Sequence, residues 1–315
     1  MPNKVIVIEG PTASGKTALG VEIAKAVGGE VVGADSMQIY KYMDIGTAKP
    51  TAEEMGGVPH HMIDIVSPFE NYSVSRYVTE AAEVISDIHA RGKMPIIVGG
   101  TGLYVQSLLS GRDFSAGGED ASEIRAELSQ MYDALGGEKM LEKLAEFDGE
   151  SAKKLHFNDK KRIVRAFEVY RLTGSPISEH NEKTKAAPAR YDAVRLGIFM
   201  ENRDILYGRI NRRVDKMLEK GLVSEVQNLL DMGLDGGCTA MQAIGYKEIV
   251  SYLHGDIPLS DAVCAIKQGS RRYAKRQLSW LRRYDDINRI ICDGEPDLDF
   301  IRRNSTKILE NFGII

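Results

Sequence analysis

The chain has 315 residues, of which 43% are hydrophobic and 27% charged, with a formal net charge of −4. That is length enough for two domains and apolar content enough for a large core, while no apolar run reaches the length of a membrane span and the first residues lead straight into a strand pattern, without the basic and apolar regions of a signal peptide. A globular, cytoplasmic protein is expected, with Cys238, Cys264 and Cys292, odd in number and far apart, as reduced and mostly buried thiols.

The first predicted element is a strand over residues 5–8, followed by GPTASGKT at residues 10–17 and then by a helical pattern. A glycine, four residues and Gly-Lys-Thr between a strand and a helix form the phosphate-binding loop signature. Gly10 and Gly15 permit close backbone approach, so that N–H groups along Thr12, Ala13 and Ser14 turn toward anionic oxygens. Lys16 adds a positive charge, and Thr17 offers a hydroxyl to a phosphate-bound Mg2+ at the positive end of the helix. Such a loop recognises a polyphosphate and leaves open what is attached to it.

Further Val- and Ile-rich runs predict buried parallel strands over residues 30–33, 94–98, 193–199 and 288–292, separated by helical patterns. The alternation implies a doubly wound α/β core with ligands at the carboxyl ends of its strands. From residue 112 to about 189 the pattern changes to charged amphipathic helices, opened by RDFSAGGED and closed by TKAAPAR. This predicts a helical insertion over 113–189 within a core of 1–112 and 190–315. Long helices are expected near 203–232, 242–253 and 259–283.

The second strand ends in ADSMQIY, residues 34–40, which places Asp35 beside the phosphate loop in this topology. Asp35 is either a turn-capping carboxylate or a group acting on whatever the phosphate carries. Ser36 and Gln38 bring a hydroxyl and an amide to the same place, a donor and acceptor set suited to a nucleobase edge. The third strand ends in VGGTGLY, residues 98–104, where phosphate-loop hydrolases often carry an Asp that helps to position water. Two glycines and Thr101 stand there instead, leaving room for a ligand. The stretch KQGSRRYAKRQLSWLRR, residues 267–283, has seven basic residues and no acid, against an acid-rich stretch at 117–150. Its Tyr273 and Trp280 share a stripe with Gln277 and Tyr284 that reads as core packing.

GPTASGKT, DSMQIY, MDIGTAKP at 43–50, VPHH at 58–61, VGGTGLY, QAIGYKE at 242–248 and RRYAKRQLSWLRR occur in the order seen in bacterial tRNA dimethylallyltransferases, and the chain resembles that family over nearly its whole length. The resemblance implies a P-loop NTPase-like parallel-sheet core with an inserted all-helical domain and C-terminal helices. It implies transfer of a dimethylallyl group from dimethylallyl diphosphate to the exocyclic amine of adenosine 37 in tRNA, beside the anticodon. The loop would then hold the diphosphate of a prenyl donor, with Mg2+ bound through Thr17.

Carried over by position, Asp35 would take a proton from, or hydrogen-bond, the attacking amine, with Thr101 and Arg209 facing the reacting centre and the diphosphate. Arg212 and Arg213 are neighbours that leave the choice among the three open. Contacts to tRNA would come from Asp35, Ser36, Met37, Gln38, Thr101 and Arg125, from Asp159, Lys160, Lys161, Arg162 and Ile163 in the insertion, and from Gln242, Lys247, Arg272, Lys275 and Arg276. The base would be drawn out of its stack into the core. Adjacent histidines in VPHH make a poor metal site and are assigned to structure or to the donor pocket. Ser270 and Leu281 stand where the family pattern has Thr and an aromatic residue, mild changes in packing, and the chain resembles the shorter bacterial form and not the eukaryotic one with its zinc finger.

No membrane and no obligate protein partner is evident. Two other readings use the same loop: a small-molecule or nucleoside kinase with Asp35 as base toward a hydroxyl, and a nucleotide-switched RNA-binding module without chemistry. The basic helix and the insertion weigh against the first, and the second leaves Asp35 and Thr101 idle.

Overall fold

The computed structural model describes residues 3–110, 121–185 and 188–315. It divides into two compact units, Met1–Leu109 with Tyr191–Ile315, and Ser110–Arg190. The expected edge at 112/113 and the RDFSAGGED stretch lie outside the described residues, as do residues 186 and 187 of the closing stretch.

The larger unit opens with β1 (Lys4–Glu9), α1 (Lys16–Val27), β2 (Glu30–Ala34), α2 (Ala52–Met55), β3 (His60–His61), α3 (Val74–Ala90), β4 (Pro95–Gly99) and α4 (Gly102–Leu109). The helical unit contains α5 (Ala121–Leu135), α6 (Gly137–Ala145), α7 (Gly149–Lys154), α8 (Lys160–Thr173) and α9 (Ile177–Lys185). The chain then completes the first unit with β5 (Asp192–Met200), α10 (Arg203–Glu219), α11 (Leu222–Asp231), α12 (Tyr246–Leu253), α13 (Leu259–Leu281), β6 (Ile287–Cys292) and α14 (Leu298–Asn311).

Six parallel strands form one sheet in the order β3-β2-β4-β1-β5-β6. The β-branched runs of β1, β2 and β4 are buried on both faces, as strands covered by helices on each side must be. All five expected strands are present. The sixth, β3, is only two residues long and sits beside Val31 and Val32 of β2. It is tied down by the buried Glu30, which accepts from His61 Nε2 at 2.7 Å, Arg91 Nη2 at 2.8 Å and Lys93 Nζ at 2.7 Å. The Arg91 hydrogen bond is the largest cause that holds the Glu30 carboxyl well below the usual carboxylate range.

Strand register sets up the site. Gly99 pairs with Glu9 on one side and with Ala34 on the other, so β1, β2 and β4 end level. The loop after β1, Asp35 after β2 and Thr101 after β4 therefore open on one edge.

Three expectations are corrected. The helix expected over 203–232 is two helices, because Gly221 takes a left-handed φ of 98° between α10 and α11. The helix expected from 242 begins at Tyr246 after a short 3-10 turn, Ala240–Gln242, with Gly245 at φ 103° between them. Of the cysteines only Cys292 is buried; Cys264 is exposed and Cys238 half-buried.

The helical unit has its own core, built from Leu128, Met140, Leu144, Ile163, Val164, Ala166 and Phe167. Among the described residues no helix is long and apolar enough to cross a membrane.

Candidate active site

The loop of residues 10–17 closes onto α1 through Gly15, whose φ of 92° suits a residue without a side chain. The first turn of α1 carries no acid, which leaves its positive end free for an anion. Ala13 also takes a left-handed φ, 64°, a strained geometry for a residue with a Cβ. Its carbonyl accepts from Arg209 Nε at 2.8 Å. Ser14 is fully buried, and its hydroxyl has no hydrogen-bond partner among the described residues.

In front of the loop lies a cleft of about 680 Å³, bounded by residues 13–18, by the stretch from Asp44 to Glu54 and by α10. Seven cations line it, Lys16, Lys49, Arg209, Arg212, Arg213, Lys216 and Lys220, against two acids, Asp44 and Glu54. Its chemistry is that of an anion site. Arg209, Arg212 and Arg213 of α10 all line it, which places Arg213 there as well as the expected Arg209. Burial, followed by the charge of Arg213, lowers Lys16 to about 8, with Asp35 acting in the opposite sense.

That value predicts a pH dependence. Below about 8 Lys16 is charged and attracts an anion; above it the free protein loses the charge, so inorganic diphosphate binds progressively more weakly. Calorimetry of diphosphate binding from about pH 7 to about pH 9.5 checks this, because Lys16→Arg, which stays charged throughout, removes the part of the decline that belongs to the lysine.

Behind the loop, Lys16, Thr17, Asp35, Gln38 and His60 line a small recess. Asp35 Oδ1 accepts from Met37 N at 2.9 Å, the turn-capping geometry, so it holds the turn while facing the recess. Ser36 N donates to Thr101 Oγ1 at 3.0 Å, and the Thr101 hydroxyl lies 3.3 Å from Ser36 Oγ. Gln38 donates through Nε2 to the carbonyls of Thr47 and Ala48, both at 3.1 Å. Of the two histidines, His61 serves structure through Glu30, and His60 lines the recess, with burial lowering it from its ordinary value.

Sequence reading missed Gln277. This buried side chain accepts from Thr12 N at 2.8 Å and donates to Gly100 O at 2.9 Å, joining the phosphate loop to the end of β4. The glycines of VGGTG make room for α13: a Cβ on Gly100 would come within 2.2 Å of Gln277, and one on Gly102 within 2.3 Å of Trp280. Tyr273 lies over the same edge, its hydroxyl 3.5 Å from Gly100 O, and burial pushes it up to about 12. Trp280 and Tyr273 therefore pack inward, as their stripe implied.

Glu225 and Lys49 were also missed. Glu225, on α11, accepts from three successive backbone N–H groups, Asp44 and Ile45 at 2.8 Å and Gly46 at 3.1 Å, and from the Tyr246 hydroxyl at 2.6 Å. Gly46 must be glycine, since a Cβ there would meet the Tyr246 ring at 2.4 Å. The buried Lys49 donates to Tyr40 O at 2.9 Å and pairs with Asp44 and Asp64. MDIGTAKP and QAIGYKE are thus two sides of one contact that fixes a wall of the cleft.

The expected RNA-facing residues of the insertion and the C-terminal helices fall into four groups. Lys161, Arg272, Lys275 and Arg276 are exposed cations with no acidic partner among the described residues; Arg276 stacks over Tyr273 at 5.6 Å. Lys160 is held by Asp133 at 2.7 Å, Arg162 by Asp159 at 2.6 Å, and Arg125 by the buried Glu168 at 2.7 Å. Ile163 is fully buried, so its side chain serves the core of the helical unit. Gln242, in the 3-10 turn before α12, and Lys247, in the first turn of α12, are exposed; Gln242 Nε2 donates to Gly236 O at 2.5 Å, and Lys247 lies 3.9 Å from Glu248.

A parallel sheet with a phosphate-loop sequence, a cationic cleft and a polar cluster at the strand ends is the arrangement of a P-loop-type fold with an anion site. The IPP transferase family model matches residues 38–284 and an isopentenyl transferase model matches residues 3–67. The tRNA dimethylallyltransferase of Caldanaerobacter subterraneus subsp. tengcongensis is 50% identical over 305 residues, covering 96% of both chains. The crystal structure of full-length tRNA isopentenylpyrophosphate transferase from Bacillus halodurans superposes with a TM-score of 0.72 at 42% identity, covering 99% of this chain and 96% of that one. A eukaryotic dimethylallyltransferase captured acting on tRNA superposes with a TM-score of 0.84 at 31% identity, covering 99% of this chain and 79% of that one. The chain belongs to the tRNA dimethylallyltransferase family, a family of prenyltransferases.

Proposed function

We propose that this chain transfers a dimethylallyl group from dimethylallyl diphosphate to the exocyclic amine of adenosine 37 in tRNA, in the cytoplasm, and releases diphosphate. The observation that carries this reading is that the loop lysine and Asp35 line one recess, with no carboxylate at the end of β4 to activate a water. A phosphate site with a base beside it and no water-positioning acid suits displacement of diphosphate better than hydrolysis of a triphosphate.

In this account the amine nitrogen attacks the prenyl carbon, the carbon–oxygen bond breaks, and its electron pair leaves with the diphosphate. Asp35 takes the proton. Thr101 and Ser36 orient the base, while Lys16, Arg209 and Arg213 offset charge that builds on the leaving oxygen. Magnesium fits the donor set, since Thr17 offers a hard hydroxyl oxygen at the anion end of α1 and the diphosphate would supply the rest. When bound it would neutralise charge on the leaving group. The tRNA is gripped through phosphates by the exposed cations Lys161, Arg272, Lys275 and Arg276.

Two experiments bear on this. With the prenyl donor, tRNA gains the mass of one dimethylallyl group in place of a proton; with ATP, tRNA keeps its mass and no stoichiometric cleavage occurs. ATP cleavage coupled to turnover would favour the kinase or switch readings. Separately, Lys161→Ala and Arg276→Ala each lower the salt slope of tRNA binding by about one unit, and Arg162→Ala, whose charge Asp159 already offsets, lowers it less. Unchanged slopes for Lys161 and Arg276 would mean that RNA is held elsewhere.

A further inference from the structure

Two arginines of the anion cleft already have a partner, and it is not one the reaction requires. Glu295, in the turn between β6 and α14, accepts from Arg209 Nη1 at 2.9 Å with one oxygen and from Arg212 Nη2 at 2.7 Å with the other. Both arginines line the cleft. The Glu295 side chain is 57% exposed, so the pair is not a buried one on which the core depends. Three residues on, Leu298 lies 3.9 Å from the position a Cβ on Gly15 would take, which sets this turn against the phosphate loop.

We propose that Glu295 is a displaceable counterion: it occupies Arg209 and Arg212 in the free protein, and a diphosphate must compete with it for them. This rests on the reading of the cleft as a diphosphate site. An exposed ion pair is weak and screened by salt, so a multiply charged diphosphate displaces it. A monophosphate brings less charge against the same competitor and gains less. Glu295 thereby limits affinity for the donor and returns to the arginines as product diphosphate leaves. A side chain that merely stabilised the arginines would have the opposite signature, since its removal would weaken the anion site.

The test titrates inorganic diphosphate and inorganic phosphate into the full-length protein, comparing wild type, Glu295→Gln and Asp299→Asn. Asp299 pairs with Arg302 on α14 at 3.0 Å and with neither cleft arginine, so its replacement makes the same change in net charge elsewhere. At low salt Glu295→Gln binds diphosphate roughly threefold to tenfold more tightly, gains no more for phosphate than for diphosphate, and loses the gain as salt rises. Asp299→Asn behaves as wild type. Diphosphate affinity that is unchanged or weaker in Glu295→Gln, beside normal wild-type binding, overturns the counterion. An equal gain in Asp299→Asn also overturns it, by reducing the effect to net charge. Absence of diphosphate binding in the wild type would remove the reading of the cleft itself, and the counterion with it.

Discussion

Asp35→Asn lowers prenyl transfer by roughly a hundredfold to ten-thousandfold, the usual effect of removing a general base, and leaves tRNA affinity near that of wild type. The substitution keeps the local structure, because an asparagine carbonyl accepts from Met37 N as Asp35 Oδ1 does at 2.9 Å. It removes the ability to take a proton and one negative charge beside Lys16. Single-turnover transfer to saturating tRNA, with tRNA affinity measured in parallel, reads the two effects apart. Transfer within about threefold of wild type would leave Asp35 as a turn cap alone, a role its geometry also satisfies.

The second large effect is expected at Lys16. Lys16→Met removes a charge that developing negative charge on the leaving oxygen would meet, and costs roughly a hundredfold to a thousandfold in transfer. Its Nζ reaches only Pro11 O, at 3.4 Å, and pairs with no carboxylate among the described residues. Removing it therefore orphans no buried acid and the fold should hold. Rates measured at saturating donor separate transition-state stabilisation from ground-state binding. A change confined to donor KM would place Lys16 in binding alone.

Much of this fold was legible because its strands are buried on both faces, and such strands read as unbroken Val and Ile runs. β3 was not, because two residues carry no periodicity and its place depends on Glu30 meeting His61, Arg91 and Lys93. The break at Gly221 was hidden inside a helical pattern that continues on either side of it. At the site, the loop, Asp35, Ser36 and Thr101 could be read locally, since each follows a strand end directly.

Gln277 could not be read in this way. It meets Thr12 across 265 residues of sequence, and Glu225 meets Asp44 across 181. A polar residue on the apolar stripe of α13, between buried Ala274 and Leu281, was the available signal for the first. Nothing local marked Glu225, whose role arises only when three backbone N–H groups of a distant loop converge on it. Arg209, Arg212 and Arg213 all line the cleft, and what separates them is that Glu295 holds the first two, a distant partner that a helix pattern does not show.

The central claim is that the recess beside Asp35 delivers a prenyl group to an exocyclic amine. It is tested most directly by mass analysis of two anticodon stem-loops after incubation with dimethylallyl diphosphate, one with adenosine at position 37 and one with inosine, which lacks that amine. The account predicts that the first gains one dimethylallyl group at that nucleotide, with equimolar diphosphate released, and that the second gains none. Equal modification of both, or modification of the first at another nucleotide, would contradict it.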